Sequence, residues 1–190
     1  MSQIMYFCNY QSPLGAMIMQ ADENNLIALF FVGQKYSQKY ESGTFFTNKR
    51  IESKELKIND LAIFRDTALW LDTYFSGQIP SFMPQIALKG SEFALQVWEI
   101  LQSIPYGKTT TYGAIAKTLA NKRGVAKMSA QAVGGAVGRN PISIIIPCHR
   151  VLGADNALTG YAGGVDKKLK LLEFEGVNTA SLVMPKGVKI

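Results

Sequence analysis

The sequence predicts an α+β protein of two domains: a small N-terminal antiparallel sheet with one helix, and then a mainly helical C-terminal domain. Short β-branched and aromatic runs separated by turn residues occupy the beginning of the chain, whereas helical spacing and helix-capping residues dominate after residue 90. The charge divides at the same place, because the whole net charge of +6 lies after residue 90. We expect domains at 1–85 and 91–176, followed by a C-terminal extension at 177–190.

Three short runs favour β-strands at the start of the chain, and good turn material separates them. The runs are residues 4–10, 16–21 and 26–32. They predict an antiparallel meander. The polar, weakly patterned residues 33–59 predict a loop, with room for one more strand near Gly43–Thr47.

Apolar residues at helical spacing follow Asp60, which is a possible N-cap, and Gly77 is a suitable stop. This pattern predicts one amphipathic helix. The next stretch has no helical period and is punctuated by Pro80, Pro84 and Gly90, so it is the predicted linker.

Three further helices are predicted after the linker. Their expected starts are Ser91, Thr110 or Thr111, and Ser129, and a basic turn at 121–127 separates the last two. Two helices joined by a short turn on a cationic background resemble a helix-turn-helix.

The helix from Ser129 contains three glycines, Gly134, Gly135 and Gly138. Glycine in a helix interior costs about 1 kcal/mol relative to alanine, so this density needs a reason. One reason is tight packing on a neighbouring helix. The other is close approach to an external surface, such as a DNA minor groove about 6 Å wide.

The only histidine, His149, directly follows Cys148. A thiol is a strong nucleophile only as thiolate, and an imidazole within reach can take its proton. The β-branched residues 142–146 predict a buried strand ahead of this pair. Neighbouring side chains on a strand point apart, so either the chain turns here or a water bridges the two groups. An inert core thiol and a buried imidazole are the structural alternatives.

No Asp or Glu occurs between residues 100 and 154. Seven cations lie in this stretch: Lys108, Lys117, Lys122, Arg123, Lys127, Arg139 and Arg150. An ordinary solvated basic face mixes both signs of charge. A surface that carries only cations binds a phosphate backbone more tightly, because counterions are released from the nucleic acid. Together with the candidate nucleophile, this stretch predicts chemistry on nucleic acid.

Two cysteines suit a reducing compartment better than a disulfide framework, so a cytoplasmic protein is expected. No segment approaches the roughly 20 apolar residues of a membrane span, and no export signal is recognisable.

The residues around Cys148 resemble a known family. Pro147–Val151, preceded by Asn140–Pro141 and followed by Gly160–Gly164 and Leu171–Gly176, is similar to the methylated-DNA-protein-cysteine methyltransferases, or O6-alkylguanine-DNA alkyltransferases. The match runs in order from about Ser91 to Gly176. The resemblance implies a ribonuclease H-like N-terminal domain and a winged helix-turn-helix in the C-terminal domain.

The resemblance implies a reaction in which Cys148 accepts an alkyl group irreversibly from O6 of guanine in double-stranded DNA, with O4 of thymine as a second candidate donor. His149 would act as base through a bridging water, Glu175 would orient His149, and Tyr112 would donate a proton to the leaving guanine. Asn140 would hold the turn before the active site. Expected substrate contacts come from Val151, Tyr161, Ala162, Gly163 and Gly164.

The resemblance also implies that the helix from Ser129 enters the minor groove and that the target base is flipped out. The expected DNA contacts are Thr110, Lys127, Ser129, Ala130, Gln131, Gly134, Gly135, Arg139 and Arg150. Gln131 departs from the arginine that many relatives use to fill the gap left by the flipped base. Neither a cofactor nor a metal is expected, and the protein is expected to be a monomer.

Two other functions remain open from the sequence. A non-enzymatic protein of the same superfamily could bind alkylated DNA, although such proteins lack the acceptor cysteine that Cys148 supplies. A thiol hydrolase could use Cys148 and His149, but it would leave the acid-free basic stretch without a purpose. A helix-turn-helix regulator without chemistry is a more distant alternative.

Overall fold

The computed structural model describes residues 4–35 and 52–185. The chain forms two compact units. The first comprises residues up to Lys89 together with Pro141–Ser143, and the second comprises Gly90–Asn140 and the residues from Ile144 onward. The first unit carries a sheet and a helix, and the second is mainly helical, so the predicted α+β class is confirmed.

Within residues 4–35 and 52–89, the first unit carries a four-stranded sheet of order β3-β2-β1-β4. Its strands are β1 (Ile4–Ser12), β2 (Gly15–Ala21), β3 (Leu26–Phe31) and β4 (Glu52–Glu55). The first three pair antiparallel, which confirms the predicted meander. All six residues of β3 are buried, whereas β1 alternates in burial along much of its length.

Strand β4 corrects the prediction that residues 33–59 form a loop, because Glu52–Glu55 pairs parallel with β1. The sheet is therefore mixed. The strand is polar and lies at a sheet edge, where charged side chains discourage pairing with other chains and where no apolar alternation is required. The further strand predicted near Gly43–Thr47 lies outside the described residues.

Helix α1 (Ala62–Phe75) contacts the sheet through the face that buries Phe64, Leu71 and Tyr74. Its N-cap is Leu61 rather than Asp60. Asp60 instead ends a preceding 3-10 turn, where its carboxylate accepts a hydrogen bond from the backbone N–H of Lys57 at 2.9 Å.

The described part of the second unit contains four α-helices: α2 (Glu92–Gln102), α3 (Tyr112–Arg123), α4 (Ala130–Gly138) and α5 (Val165–Phe174). The side chains of Ser91, Thr111 and Ser129 cap α2, α3 and α4, as their residue types favour. Helix α3 extends to Arg123 and ends at Gly124, whose φ of 64° is the left-handed conformation of a C-cap. The turn between α3 and α4 is therefore shorter than the predicted 121–127.

The strand predicted at residues 142–146 is wrong. Only Ile142 makes a one-residue bridge, which joins it to Leu29 within the first unit, and the chain then turns through 143–145. Ile144 has a φ of 70°, which is uncommon for a β-branched residue. All five residues are buried, so their apolar character reflects burial and not an extended conformation.

Two short parallel strands, β5 (Thr110–Thr111) and β6 (Val151–Leu152), pair within the second unit. This pairing places the start of α3 beside the residues that follow Cys148. The segment after α5 also packs on this unit, because Val177, Leu182 and Met184 contact the core cluster of Leu152, Leu158, Leu169 and Leu172. Among the described residues, no helix is both long and apolar enough to cross a membrane.

Candidate active site

Cys148 lies where the backbone turns sharply. Pro147 has φ −80° and ψ 62°, and the N–H of Cys148 donates to the carbonyl of Ile146 at 2.8 Å, which is an inverse γ-turn. Cys148–Arg150 then forms one turn of 3-10 helix. The sequence left open whether the chain turns at the Cys-His pair or a water bridges it; the chain does turn.

Asn140 supports the acceptor thiol directly. Its side-chain amide donates to Cys148 Sγ at 3.1 Å and to the Ile146 carbonyl at 2.8 Å. Burial raises the pKa of Cys148, while the hydrogen bond from Asn140 and the charge of Lys168 lower it in part. The thiol is therefore kept protonated by its surroundings, and two groups beside it stabilise the thiolate once the proton leaves.

Glu175 is the C-cap residue of α5, and its carboxylate is fully buried. Its Oε1 atom accepts from Arg150 at 2.9 Å and lies 2.7 Å from His149 Nε2, while Oε2 accepts from Arg150 at 2.8 Å and from Gly107 N at 3.1 Å. Burial alone would raise the pKa of Glu175, but hydrogen bonds from His149 and Arg150 and their charges lower it to about 2. Glu175 is thus an anion at neutral pH.

His149 is fully buried, and one of its ring nitrogens faces the Glu175 carboxylate. With Nε2 at Glu175, its other ring nitrogen, Nδ1, is buried and has no hydrogen-bond partner among the described residues. Burial lowers the pKa of His149, the carboxylate of Glu175 raises it, and the charges of Arg150 and Lys168 lower it further. The imidazole is neutral and has one nitrogen available as a base.

The burial of Arg150 does not fit the DNA contact predicted for it. The residue is only 8% exposed, and its guanidinium donates to both carboxylate oxygens of Glu175 and to the Ile104 carbonyl. Its guanidinium carbon lies 5.7 Å from the ring centre of Tyr106. The sequence counted Arg150 among surface cations because nothing in its local pattern reveals this internal carboxylate.

Lys168 is a part of the site that the sequence reasoning missed. It is fully buried on α5, and its ammonium donates to the carbonyls of Val151 and Thr159. Burial lowers its pKa to about 8, with an opposing contribution from Cys148. A signal was available: Lys168 stands three and four residues before Leu171 and Leu172, on the buried face of the helix.

The predicted substrate loop lies next to this cluster. Tyr161 contacts His149 edge-on, with ring centres 6.5 Å apart, and the whole stretch from Tyr161 to Gly164 is half-buried. Tyr112, at the start of α3, donates its hydroxyl to the Gly160 carbonyl at 3.2 Å. Burial, followed by the nearby Cys148, raises the pKa of Tyr112 to about 12, so its hydroxyl is protonated at neutral pH.

The helix-turn-helix face, which we define as Lys117, Lys127 and the start of α4, is exposed. An open groove of about 880 Å³ runs along it and includes Lys117 and Lys127 in its lining. Of the predicted DNA contacts, five are exposed: Lys127, Ser129, Ala130, Gln131 and Arg139. Thr110, Gly134 and Gly135 are half-buried.

The acid-free stretch of sequence is not acid-free in space. Lys122 lies 2.6 Å from Glu99, and Arg123 lies 3.3 Å from Glu92, so acidic residues of α2 neutralise the end of α3. Two other exposed cations of the stretch, Lys117 and Lys127, line the groove.

The glycines of α4 are not required by packing within the described residues. A methyl group at Gly134 would make ordinary contact with the Tyr112 ring, one at Gly135 would meet the flexible Arg139 side chain at 3.5 Å, and one at Gly138 would point into open space. Tight packing on a neighbouring helix therefore does not explain them. Their occurrence favours close approach to an external surface.

Two models of known families match this chain. The DNA-binding domain of 6-O-methylguanine DNA methyltransferase matches residues 92–177, and the ribonuclease-like domain of 6-O-methylguanine DNA methyltransferase matches residues 5–87.

Curated relatives and solved structures agree with these matches. A methylated-DNA–protein-cysteine methyltransferase of Methanosarcina acetivorans is 40% identical over 172 residues, covering 90% of this chain and 99% of the relative. One from Haemophilus influenzae is 36% identical and covers 91% of this chain and 87% of its own. The crystal structure of Mycobacterium tuberculosis OGT in complex with DNA has a TM-score of 0.71 at 33% identity, covering 93% and 94% of the two chains.

Proposed function

Because this chain belongs to the 6-O-methylguanine DNA methyltransferase family, we propose that it repairs DNA by moving an alkyl group from O6 of guanine to its own Cys148. The resemblance read from the sequence is confirmed by that membership. One arrangement carries the proposal. The buried Cys148 Sγ accepts a hydrogen bond from Asn140, and the next residue, His149, faces the buried carboxylate of Glu175.

The reaction balances without a cofactor. His149 Nδ1 takes the thiol proton through a water, and the thiolate of Cys148 attacks the alkyl carbon. The new S–C bond forms as the O6–C bond breaks, and the electron pair of the O6–C bond stays on the guanine. Tyr112 supplies a proton to the departing base and is reprotonated from solvent, while His149 releases to solvent the proton that it took from the thiol. The product is a thioether, which has no route back to the thiol, so each protein molecule reacts once.

The helix-turn-helix face supplies the DNA contacts in this proposal. Lys117 and Lys127 lie where phosphates can be neutralised, and the glycines of α4 allow the helix to approach the groove closely. The target base must leave the duplex to reach the buried thiol, which is the reason for base flipping. We propose that the partner is double-stranded DNA carrying alkylated bases and that the protein acts as a monomer. A cytoplasmic location is proposed because the acceptor must remain a free thiol.

Mass spectrometry of the intact protein tests this function. After mixing with a duplex that carries O6-methylguanine, the expected product is one added methyl group per protein, confined to the peptide that contains Cys148. The Cys148→Ser variant should bind the duplex and gain no methyl group. Cys8→Ala is the matched control, because Cys8 is the other free thiol and is buried in the sheet.

The alternatives give different results in the same experiment. Turnover beyond one equivalent of lesion would indicate a hydrolase, and lesion binding without transfer by the unaltered protein would indicate a binding protein. Methylation that persists in Cys148→Ser would place the acceptor elsewhere.

A further inference from the structure

We propose that Arg150 is a positioning residue, whose guanidinium fixes the Glu175 carboxylate so that His149 holds its proton on Nε2 and offers Nδ1 as the base. The proposal rests on the proposed function only in one respect, namely that the proton taken up by Nδ1 comes from the Cys148 thiol. The arrangement of Arg150, Glu175 and His149 is a property of the folded protein before any substrate binds.

The contacts of the carboxylate leave it no freedom to rotate. Arg150 donates from Nε to one oxygen of Glu175 at 2.8 Å and from a terminal nitrogen to the other at 2.9 Å, which is a two-point contact. The N–H of Gly107 occupies a further position at 3.1 Å. The position that remains, on Oε1, is the one that His149 Nε2 approaches at 2.7 Å.

The tautomer of His149 follows from that geometry. A carboxylate held ionised can only accept hydrogen bonds, so the ring nitrogen facing Glu175 must carry a proton. A neutral imidazole has one N–H, and Nδ1 is consequently left as the lone-pair nitrogen, buried and without a hydrogen-bond partner among the described residues.

Arg150 also limits how strongly Glu175 attracts a second proton to His149. The charged groups that influence the ring are one carboxylate, Glu175, and two cations, Arg150 and Lys168. Neutral titratable neighbours are Cys148 on the same turn and Tyr161 at the ring edge, while Tyr106 covers Arg150. Burial is the largest contribution that lowers the pKa of His149, and the two cations add to it against the carboxylate, so the imidazole stays neutral in the resting protein and can accept the thiol proton.

A lysine could not replace this arginine in the same role. The planar guanidinium reaches both oxygens of Glu175 while its third nitrogen donates to the Ile104 carbonyl, whereas an ammonium is a single point of charge. The Arg150→Lys variant therefore keeps the charge and loses the fixed orientation. The Arg150→Met variant loses both, which separates the two contributions.

Nitrogen NMR of protein labelled on histidine tests the proposal without ambiguity, because His149 is the only histidine in the chain. The wild type should hold a single neutral tautomer, protonated on Nε2, to a pH below the ordinary histidine range. Arg150→Lys should give mixed tautomers with little change in the titration midpoint. Arg150→Met should raise that midpoint by about one pH unit or more, as expected when a nearby cation is removed.

Two results would overturn the proposal. One is a wild-type imidazole that carries its proton on Nδ1, a measurement that needs no variant to fold. The other is a folded Arg150→Lys or Arg150→Met protein whose tautomer and midpoint match the wild type. Neither result depends on alkyl transfer, so a failure of the proposed function would be seen separately in the mass spectrum.

Discussion

Two groups of basic residues in the second unit meet opposite environments. The buried acceptor cluster, which comprises Cys148, His149, Arg150, Lys168 and Glu175, is almost completely buried. The helix-turn-helix face, with Lys117 and Lys127, is open. A buried cation changes the ionisation of its neighbours, whereas an exposed cation is screened and acts mainly on a polyanion. Burial, and not sequence position, decides whether a basic residue changes the ionisation of its neighbours or binds a polyanion.

The partners of these cations come from outside the basic stretch. Glu175 on α5 neutralises Arg150, and Glu92 and Glu99 on α2 neutralise Arg123 and Lys122. The 55 residues without an acid are therefore a property of the sequence alone. In space, Lys168 lies in the buried cluster, whereas Lys117 and Lys127 line the exposed groove.

The largest expected effect separates the two regions by function. Glu175→Gln should slow alkyl transfer by roughly 10² to 10⁴-fold, since it removes the negative charge and one of the two acceptor oxygens that hold His149 and Arg150. Affinity for duplex DNA should stay within a few-fold of wild type, because the helix-turn-helix face is untouched. Single-turnover rates by mass spectrometry and a binding titration with unmodified duplex measure the two quantities.

Glu99→Gln is the matched control for this change, because it alters an exposed glutamate on α2 whose partner is the exposed Lys122. Its transfer rate should equal that of wild type. A Glu175→Gln protein that transfers at the normal rate would remove Glu175 from the mechanism.

Acid should destabilise the buried cluster selectively. The pKa of Glu175 is about 2 in the folded protein, against an ordinary value of 4.5, so the unfolded chain takes up a proton first as the pH falls. The stabilisation from Glu175 is complete above about pH 4.5 and is lost as the pH falls toward 2. This is on the order of 3 kcal/mol in the free energy of unfolding.

Urea unfolding across that pH range measures this loss. The Glu175→Gln variant is expected to be less stable at pH 7, because Arg150 is left buried without its carboxylate, and to show a shallower decline in acid. Parallel declines for wild type and variant would mean that Glu175 does not titrate with folding.

The exposed region should respond to salt. Replacing both Lys117 and Lys127 by alanine should weaken DNA binding and reduce the slope of log affinity against log salt by about 2. The rate of alkyl transfer at saturating DNA should not change. Lys122→Ala is the control, because its ammonium already faces Glu99 at 2.6 Å. If Lys122→Ala changes the slope as much as the double variant of Lys117 and Lys127 does, the groove is not the phosphate contact.

The sequence predicted those parts of the molecule that depend on local pattern. Capping residues identified the starts of α2, α3 and α4, since a serine or threonine before an apolar period satisfies the free N–H groups of a helix. The turn residues between β1, β2 and β3 likewise identified the meander.

Parts that depend on distant contacts could not be predicted in the same way. The four isoleucines among residues 142–146 are apolar because the segment is buried, and the turn at Ile144 has no local signature. Arg150 looks like any other cation until Glu175 is brought to it from α5. Strand β4 is polar because it lies at an edge. In each case the missing information was the identity of a neighbour far away in the chain.

The smallest expected effect concerns the glycines of the exposed region, where stability and binding should change in opposite directions. Gly135→Ala should raise the free energy of unfolding by roughly 0.5–1 kcal/mol, because alanine is the better helix former and its methyl group meets only the flexible Arg139 side chain. The same methyl group should weaken DNA binding by about 1–3 kcal/mol if the helix lies against the groove, the usual cost of overfilling a close contact. Gly138→Ala is the control, since a methyl group there points into open space and should stabilise the helix without affecting binding. Unchanged affinity in Gly135→Ala would mean that this part of α4 stands clear of the duplex, and the high glycine content of the helix would need another cause.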